Sequence, residues 1–299
     1  MTHLEFYGSK LSVDIPSNWD EMSREQVRHI FRTYDKSIAA GESPLTFSVR
    51  SLYYFMGVKL SRKYIKMTYK QPSAAEKICE NTYMLCEECL GFLFDKEGDE
   101  GVARLTYDSI KNPLPAVRSR NIGPLLTGPA DLLIDLTFGE YRHASAALNT
   151  FFKTHDVADL DECIATLYRP RCKKTNKAGR AVTPINPAHF EKDVAKAASI
   201  PAWQKNLIMM WFAACIKYLQ SGQLTIDGET IDFSRLYSGS SSEKPGEFSY
   251  NMNDLLVQLS RDGVIGNMDA VDDEPLMKIF SIMWTNFKES KNHEKQTNQ

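Results

Sequence analysis

LTFGEYRHASAALNTFFKTHDVADLDECIATLYRPRCKKTNKAGR, Leu136–Arg180, is the most regularly patterned stretch of this 299-residue chain. Thr137-Phe-Gly-Glu140 has capping-box spacing, which marks the start of a helix. Tyr141, Ala144, Leu148, Phe151 and Phe152 follow at i, i+3, i+7, i+10 and i+11, and Val157, Leu160, Ile164, Leu167 and Tyr168 repeat those offsets. Two apolar stripes with helical spacing and a short turn between them bury best against each other or against a shared core, so the stretch predicts an αα-hairpin. Pro170 ends the second helix. Beyond it comes a run of positive charge, Arg169, Arg171, Lys173, Lys174, Lys177 and Arg180, with no acid between Glu162 and Glu191. Thr175, Asn176, Ala178 and Gly179 among those cations cannot build a core, so an exposed, mobile loop is expected to project from the helical pair.

Helical signals continue on both sides. Ser23-Arg-Glu-Gln26 is another capping box, opening a helix to about Ala40 with Val27, Ile30, Phe31 and Tyr34 on one face and Gly41 as its stop. Ser43-Pro44 starts the next helix, because proline is tolerated at the first helical position. That helix carries Phe47, Leu52, Tyr53 and Phe55. Further helices are expected over 73–90, 187–197, 201–221, 251–261 and 273–288. LIMMWFAACI, Leu207–Ile216, is a ten-residue apolar run. It is too short for a bilayer, which needs roughly 20 residues, and reads as a buried helix.

Strand signals are few. Leu4, Phe6, Leu11, Val13 and Ile15 alternate around a GSK turn, with Pro16 as terminator and Trp19 anchoring the next turn. Phe92–Phe94 and Val102–Tyr107 flank the acidic loop DKEGDEG, and Leu224–Ile226 and Glu229–Phe233 flank Asp227-Gly228, a pair suited to a type I′ turn. The expected fold is therefore mainly α: a multi-helix, bundle-like domain with two or three peripheral β-hairpins. Residues 1–112 form an N-terminal hairpin plus helical subdomain. A proline-rich connection over 113–130 is a candidate boundary. Residues 131–290 form a C-terminal helical subdomain with a hairpin near 223–233. The loop SGSSSEKPGE, 238–247, is expected to be flexible and the tail 291–299 disordered.

Composition narrows the function classes. Apolar residues make up 42% and charged residues 25%, enough for a substantial core, and the net charge of −2 gives no global attraction to nucleic acid or anionic membrane. Any such binding must come from a local patch. MTHLEFYGSKLSVDIP lacks the basic-then-apolar order of a secretion signal, and six cysteines without one suggest reduced thiols, so a cytoplasmic location is expected.

No GxSxG, Walker A, dinucleotide GxGxxG or HExxH pattern occurs. Cys79, Cys86 and Cys89 fall on one face of a helix with no second pair to complete a metal knuckle, and read as small apolar core residues. His143 and His155 lie twelve residues apart without a partner acid at ligand spacing, and read as exposed or capping. The acids of DKEGDEG lack the EF-hand glycine and glutamate positions, while Asp272-Asp273-Glu274 ahead of Pro275 suit a helix N-terminus. Neither metal nor cofactor is expected, and no catalytic residue is assigned.

The basic run remains. Six cations can displace counterions from a phosphate backbone, or they can dock an acidic protein surface. A solubilising loop is the plain alternative. Only Tyr168 lies near enough to stack on a base, which leaves sequence-specific reading of nucleic acid poorly supplied.

PSNWDEMSREQ (Pro16–Gln26), LTFGEYRHA (Leu136–Ala144), ATLYRPR (Ala165–Arg171) and IPAWQKNLIMMWFAACIKYL (Ile200–Leu219) together resemble small accessory proteins of tailed-phage and prophage tail-assembly regions. The resemblance spans residues 1–36 and 130–290 and carries no catalytic motif. It implies a mostly helical, non-enzymatic, chaperone-like morphogenesis protein that binds another protein, such as a tail component, and no membrane. The other expectation is a nucleic-acid-binding accessory protein using the 169–180 loop.

Overall fold

The computed structural model describes residues 1–5, 12–58, 72–95, 104–119, 123–226, 228–237, 252–261 and 265–297. The chain divides into two compact units, Met1–Ser109 and Ile110–Gln299. Among the described residues the fold is mainly helical, with only short antiparallel strands beside the helices, as the periodicities predict.

In the first unit, strand β1 (Thr2–Glu5) pairs antiparallel with β2 (Ser12–Ile15) in the register Thr2↔Ile15. Its GSK turn lies outside the described residues. Helix α1 (Arg24–Ala39) begins with the expected reciprocal cap: the Gln26 N–H donates to Ser23 Oγ at 3.2 Å and the Ser23 N–H to Gln26 Oε1 at 2.8 Å. Helix α2 (Pro44–Phe55) has Ser43 as its cap and Pro44 in its first turn. Helix α3 spans Pro72–Leu90, and β3 (Phe94–Asp95) pairs with β4 (Arg104–Leu105). The core gathers Trp19 with Phe31 and Tyr107, ring centroids 6.0 and 5.1 Å away, and Phe47 with Phe94 at 5.8 Å. Cys86 and Cys89 are buried in this core, and burial pushes the Cys86 thiol up to about 11, as suits inert packing residues. The side chain of Cys79 and most of DKEGDEG lie outside what is described.

The second unit opens on the proline-rich segment. This segment is built into the unit: Ala116–Arg118 (β5) and Leu125–Thr127 (β6) pair with each other, and β6 pairs with Arg169–Pro170 (β7) in an antiparallel sheet. Strands of two or three residues leave no alternation to read, so this sheet was not expected. Tyr168 is buried, its hydroxyl donating to the Leu114 carbonyl at 2.9 Å, and Gly128 approaches the tyrosine ring so closely that a Cβ would have no room. Between sheet and helices the chain turns through Leu132 and Leu133, both buried and both at positive φ (52° and 60°).

Helices α4 (Phe138–Thr154) and α5 (Val157–Leu167) form the expected αα-hairpin and pack on each other. Tyr141, Ala144 and Leu148 are buried from one stripe, Leu160, Ile164, Leu167 and Tyr168 from the other. The ends depart from the pattern: Phe151 and Phe152 are half-buried, and Val157, in the first turn after the bend, is 54% exposed. His155 makes the bend. It closes α4 in the left-handed conformation, φ 57°, with its N–H on the Phe151 carbonyl at 2.7 Å.

After a 3₁₀ turn at Pro187–His189, α6 (Phe190–Ala198) leads to α7 (Ala202–Ser221), the carrier of the apolar run. Leu207, Ile208, Trp211, Phe212, Cys215 and Ile216 are all buried, because α7 packs on several sides. A buried ion pair, Lys205–Asp161 at 2.6 Å, ties α7 to α5. The hairpin of β8 (Gln223–Ile226) and β9 (Glu229–Asp232) has the anticipated two-residue connection; Gly228 has φ +84°, and Asp227 lies outside the described residues. Short helix α8 (Phe233–Tyr237) follows. The 238–247 loop also lies outside. Helices α9 (Met252–Arg261), α10 (Met268–Asp272) and α11 (Leu276–Thr297) complete the unit. The expected helix over 273–288 is α11, which starts three residues later, after Pro275, and continues to Thr297 where a disordered tail was anticipated; α10 is a separate short helix ahead of it. Among the described residues no helix is long and apolar enough to cross a membrane.

Candidate functional site

The basic run is not a free loop. It is a hairpin extending from β7: Arg171 bridges to Val182, the Cys172 N–H donates to the Ala181 carbonyl at 3.1 Å, and the Thr183 N–H to the Pro170 carbonyl at 2.9 Å. Its tip is closed by Asn176. The Gly179 N–H donates to the Asn176 carbonyl at 3.0 Å, the Asn176 N–H to the Arg180 carbonyl at 2.9 Å, and the Arg180 N–H to Asn176 Oδ1 at 2.8 Å. Gly179 sits at φ +85°, a conformation that glycine adopts without strain. Asparagine and glycine at these places are what turn chemistry requires.

The six cations divide into three roles. Arg169 and Arg180, at the ends, are only 2% and 3% exposed, which corrects the expectation of an exposed run. They pin the hairpin to the body. Arg169 donates to the Thr183 carbonyl at 2.7 Å and, from its other terminal nitrogen, to Glu140 Oε1. Arg180 donates to the carbonyls of Thr127, at 2.7 Å, and Leu167. Its remaining terminal nitrogen lies 3.8 Å from Glu140 Oε2, and its Nε 4.0 Å from Asp135. Two buried guanidiniums therefore share one buried carboxylate. Burial lowers the pKa of both, and Arg180 beside Arg169 lowers that of Arg169 further, yet arginine stays cationic at neutral pH. Nε of both groups and one terminal nitrogen of Arg180 make no hydrogen bond.

Lys177 has the second role. It reaches Glu274 at 2.8 Å, and Lys278 reaches the same carboxylate at 2.7 Å, so the tip is clasped to the turn before α11. These two ammonium groups, Lys177 first, hold the Glu274 pKa below its ordinary value of 4.5. Arg171, Lys173 and Lys174 have the third role: they are exposed and, among the described residues, have no carboxylate partner.

Glu140 joins the hairpin to the scaffold. It completes the anticipated capping box, receiving the Thr137 N–H at Oε2 (3.2 Å) while its own N–H donates to Thr137 Oγ1 (3.3 Å). Its Oε1 is left for Arg169 and, at 3.5 Å, Asn176. The sequence marks Glu140 as a cap and nothing more. Its second role, and the part played by Glu274, depend on residues 29 and 97 positions away in the chain, which no local pattern reveals.

A cleft of about 790 Å³ opens beside the hairpin. The start of α4, Asp272 and Asp273, and Lys173–Lys177 line it, together with Val182, Pro184, Ile185 and Pro187, which supply an apolar wall. Asp272 is held by a two-point contact from Arg142, at 2.6 and 3.2 Å, and Gly139 lets α4 approach that turn closely. His143 lines the cleft and His155 does not. Partial burial, then the neighbouring Arg142 guanidinium, lower the His143 pKa from 6.5 and so favour a neutral ring. Among the described residues no cluster of three His, Cys, Asp or Glu is arranged to hold a metal ion. Chemically, then, the site offers exposed positive charge on a fixed frame, apolar lining, two carboxylates engaged in ion pairs, Glu140 and Asp272, and the exposed carboxylate of Asp273. Neither the family models nor the curated proteins nor the solved structures compared with this chain include a match.

Proposed function

We propose that this protein is a non-enzymatic accessory factor of phage or prophage tail assembly, acting in the host-cell cytoplasm by binding another protein through the 169–180 hairpin. The observation that carries the binding part is the presence of three unneutralised cations, Arg171, Lys173 and Lys174, on a hairpin held by Arg169, Arg180 and Lys177. Charge displayed on a fixed frame meets a complementary surface without first having to be ordered. The carboxylates beside it balance charge: Glu140 serves Arg169, Asp272 serves Arg142, and Glu274 serves two lysines, which supports a binding role over acid–base chemistry. The tail-assembly part rests on the resemblance of the four sequence stretches.

The test is the triple variant R171E/K173E/K174E. Loss of partner capture from induced cells, together with fewer completed tails, is the expected result; unchanged capture and assembly would sink the reading. The same cations could meet nucleic acid, so a salt-titrated DNA and RNA binding assay accompanies it. Binding that weakens with a log–log salt slope of about −2 to −3, the value for roughly three phosphate contacts, would favour the nucleic-acid alternative.

A further inference from the structure

The geometry points to an occupant for the cleft: an extended acidic segment of the protein partner, with one apolar side chain against Ile185 and Pro184 and flanking carboxylates on Lys173 and Lys174. This rests on the protein-binding reading above and gives that partner a chemistry.

The cleft's volume, about 790 Å³, falls within the range of sites that enclose a compact ligand. Its apolar wall is unusual in what it lacks. Pro184 and Pro187 carry no N–H, and the Thr183 N–H and carbonyl are already bonded to Pro170 and Arg169. A polar ligand would leave its hydrogen-bonding groups unmet there, whereas an aliphatic side chain loses nothing and gains contact. Lys173 and Lys174 line the same cleft, are exposed and have no carboxylate partner among the described residues, and they favour carboxylates flanking that apolar group.

The same cleft suits a polyphosphate poorly. Arg169, the arginine of its lining, directs both terminal nitrogens at the protein's own oxygens. Asp273, an exposed carboxylate of the lining, can accept a peptide N–H, a donor that a chain of phosphates does not offer. Mixed donors and acceptors around an apolar wall match a polypeptide, whose backbone offers both.

The experiment uses the full chain and an immobilised array of 12-residue peptides in which one Leu or Val is flanked on each side by two acids. Counterparts carry Ser or Lys in place of the acids, and oligo-dT is the competing polyanion. Acid-flanked peptides are expected to bind at least tenfold better than Ser-flanked ones. K173E/K174E should lose tenfold or more, and Ile185→Ser fivefold or more, with Pro187→Ser as a second wall variant should Ile185→Ser fold poorly. Acid-flanked peptides that bind no better than Ser-flanked ones, or binding untouched by either wall variant, would overturn the proposal. So would displacement by oligo-dT at concentrations below those of the peptides. Should the charge-reversed triple variant lose its partner while peptide binding ignores the wall, protein binding stands and this occupant falls. If that triple variant keeps its partner, both fall.

Discussion

Glu140 is the residue on which most of the candidate site depends. Truncating it to alanine leaves Arg169 buried without its ion-pair partner and Arg180 with Asp135 at 4.0 Å, and removes half of a helix cap. Breaking a buried pair by deleting one partner costs roughly 3–5 kcal/mol, so E140A should lower the urea midpoint by that equivalent with its slope preserved. Thr137→Ala removes only the cap and should cost about 1 kcal/mol in the same titration. The Lys177–Glu274 clasp gives a pH signature. Because the Glu274 pKa is depressed when folded, its stabilising effect is present above 4.5 and is lost as pH falls through the lower folded value. The hairpin tip should therefore become more open to protease below pH 4.5, and E274Q should show the same opening at neutral pH.

Two glycines separate what an element needs from its backbone and what it needs from space. Gly179 closes the hairpin tip at positive φ with nothing within 4 Å of the place a Cβ would take, so G179A should cost only the conformational penalty, about 1–2 kcal/mol. Gly128 has an ordinary backbone, but a Cβ there would meet the Tyr168 ring at 2.4 Å. G128A should displace that ring, break its bond to Leu114, and lower the thermal midpoint more than G179A does. The contrast also explains what could be read in advance. Both capping boxes, the αα-hairpin and the buried run of α7 were legible, because each is written in residues close together in the chain. The sheet of β5, β6 and β7 was not: its strands are two or three residues long, and β7 joins β6 from some forty positions further along the chain. Charge pattern singled out the hairpin as a candidate, yet it could not tell Arg169 and Arg180 from Lys173 and Lys174, since burial is decided by what packs over a residue.

For the chain as a whole, the division between Ser109 and Ile110 predicts that residues 110–299 fold without the first unit. That fragment contains α4 to α11, the three-stranded sheet, the hairpin and its cleft. Expressed alone, it should give a helical spectrum, a cooperative melt and the same peptide preference as the intact chain; a non-cooperative melt would show that its core is incomplete. The buried arginines have one more consequence. Because the hairpin is held before any partner arrives, the conformational entropy of ordering it is charged to folding and not to association. Variants that loosen its base, such as E140Q, should then weaken binding although Glu140 is not among the exposed groups that would meet a partner. Calorimetry should register that loss as a more unfavourable binding entropy with little change in contact enthalpy, and stopped-flow mixing should find slower productive association. The affinity of the exposed lysines would in that sense be set from beneath, by two cations whose hydrogen bonds go to the protein's own oxygens.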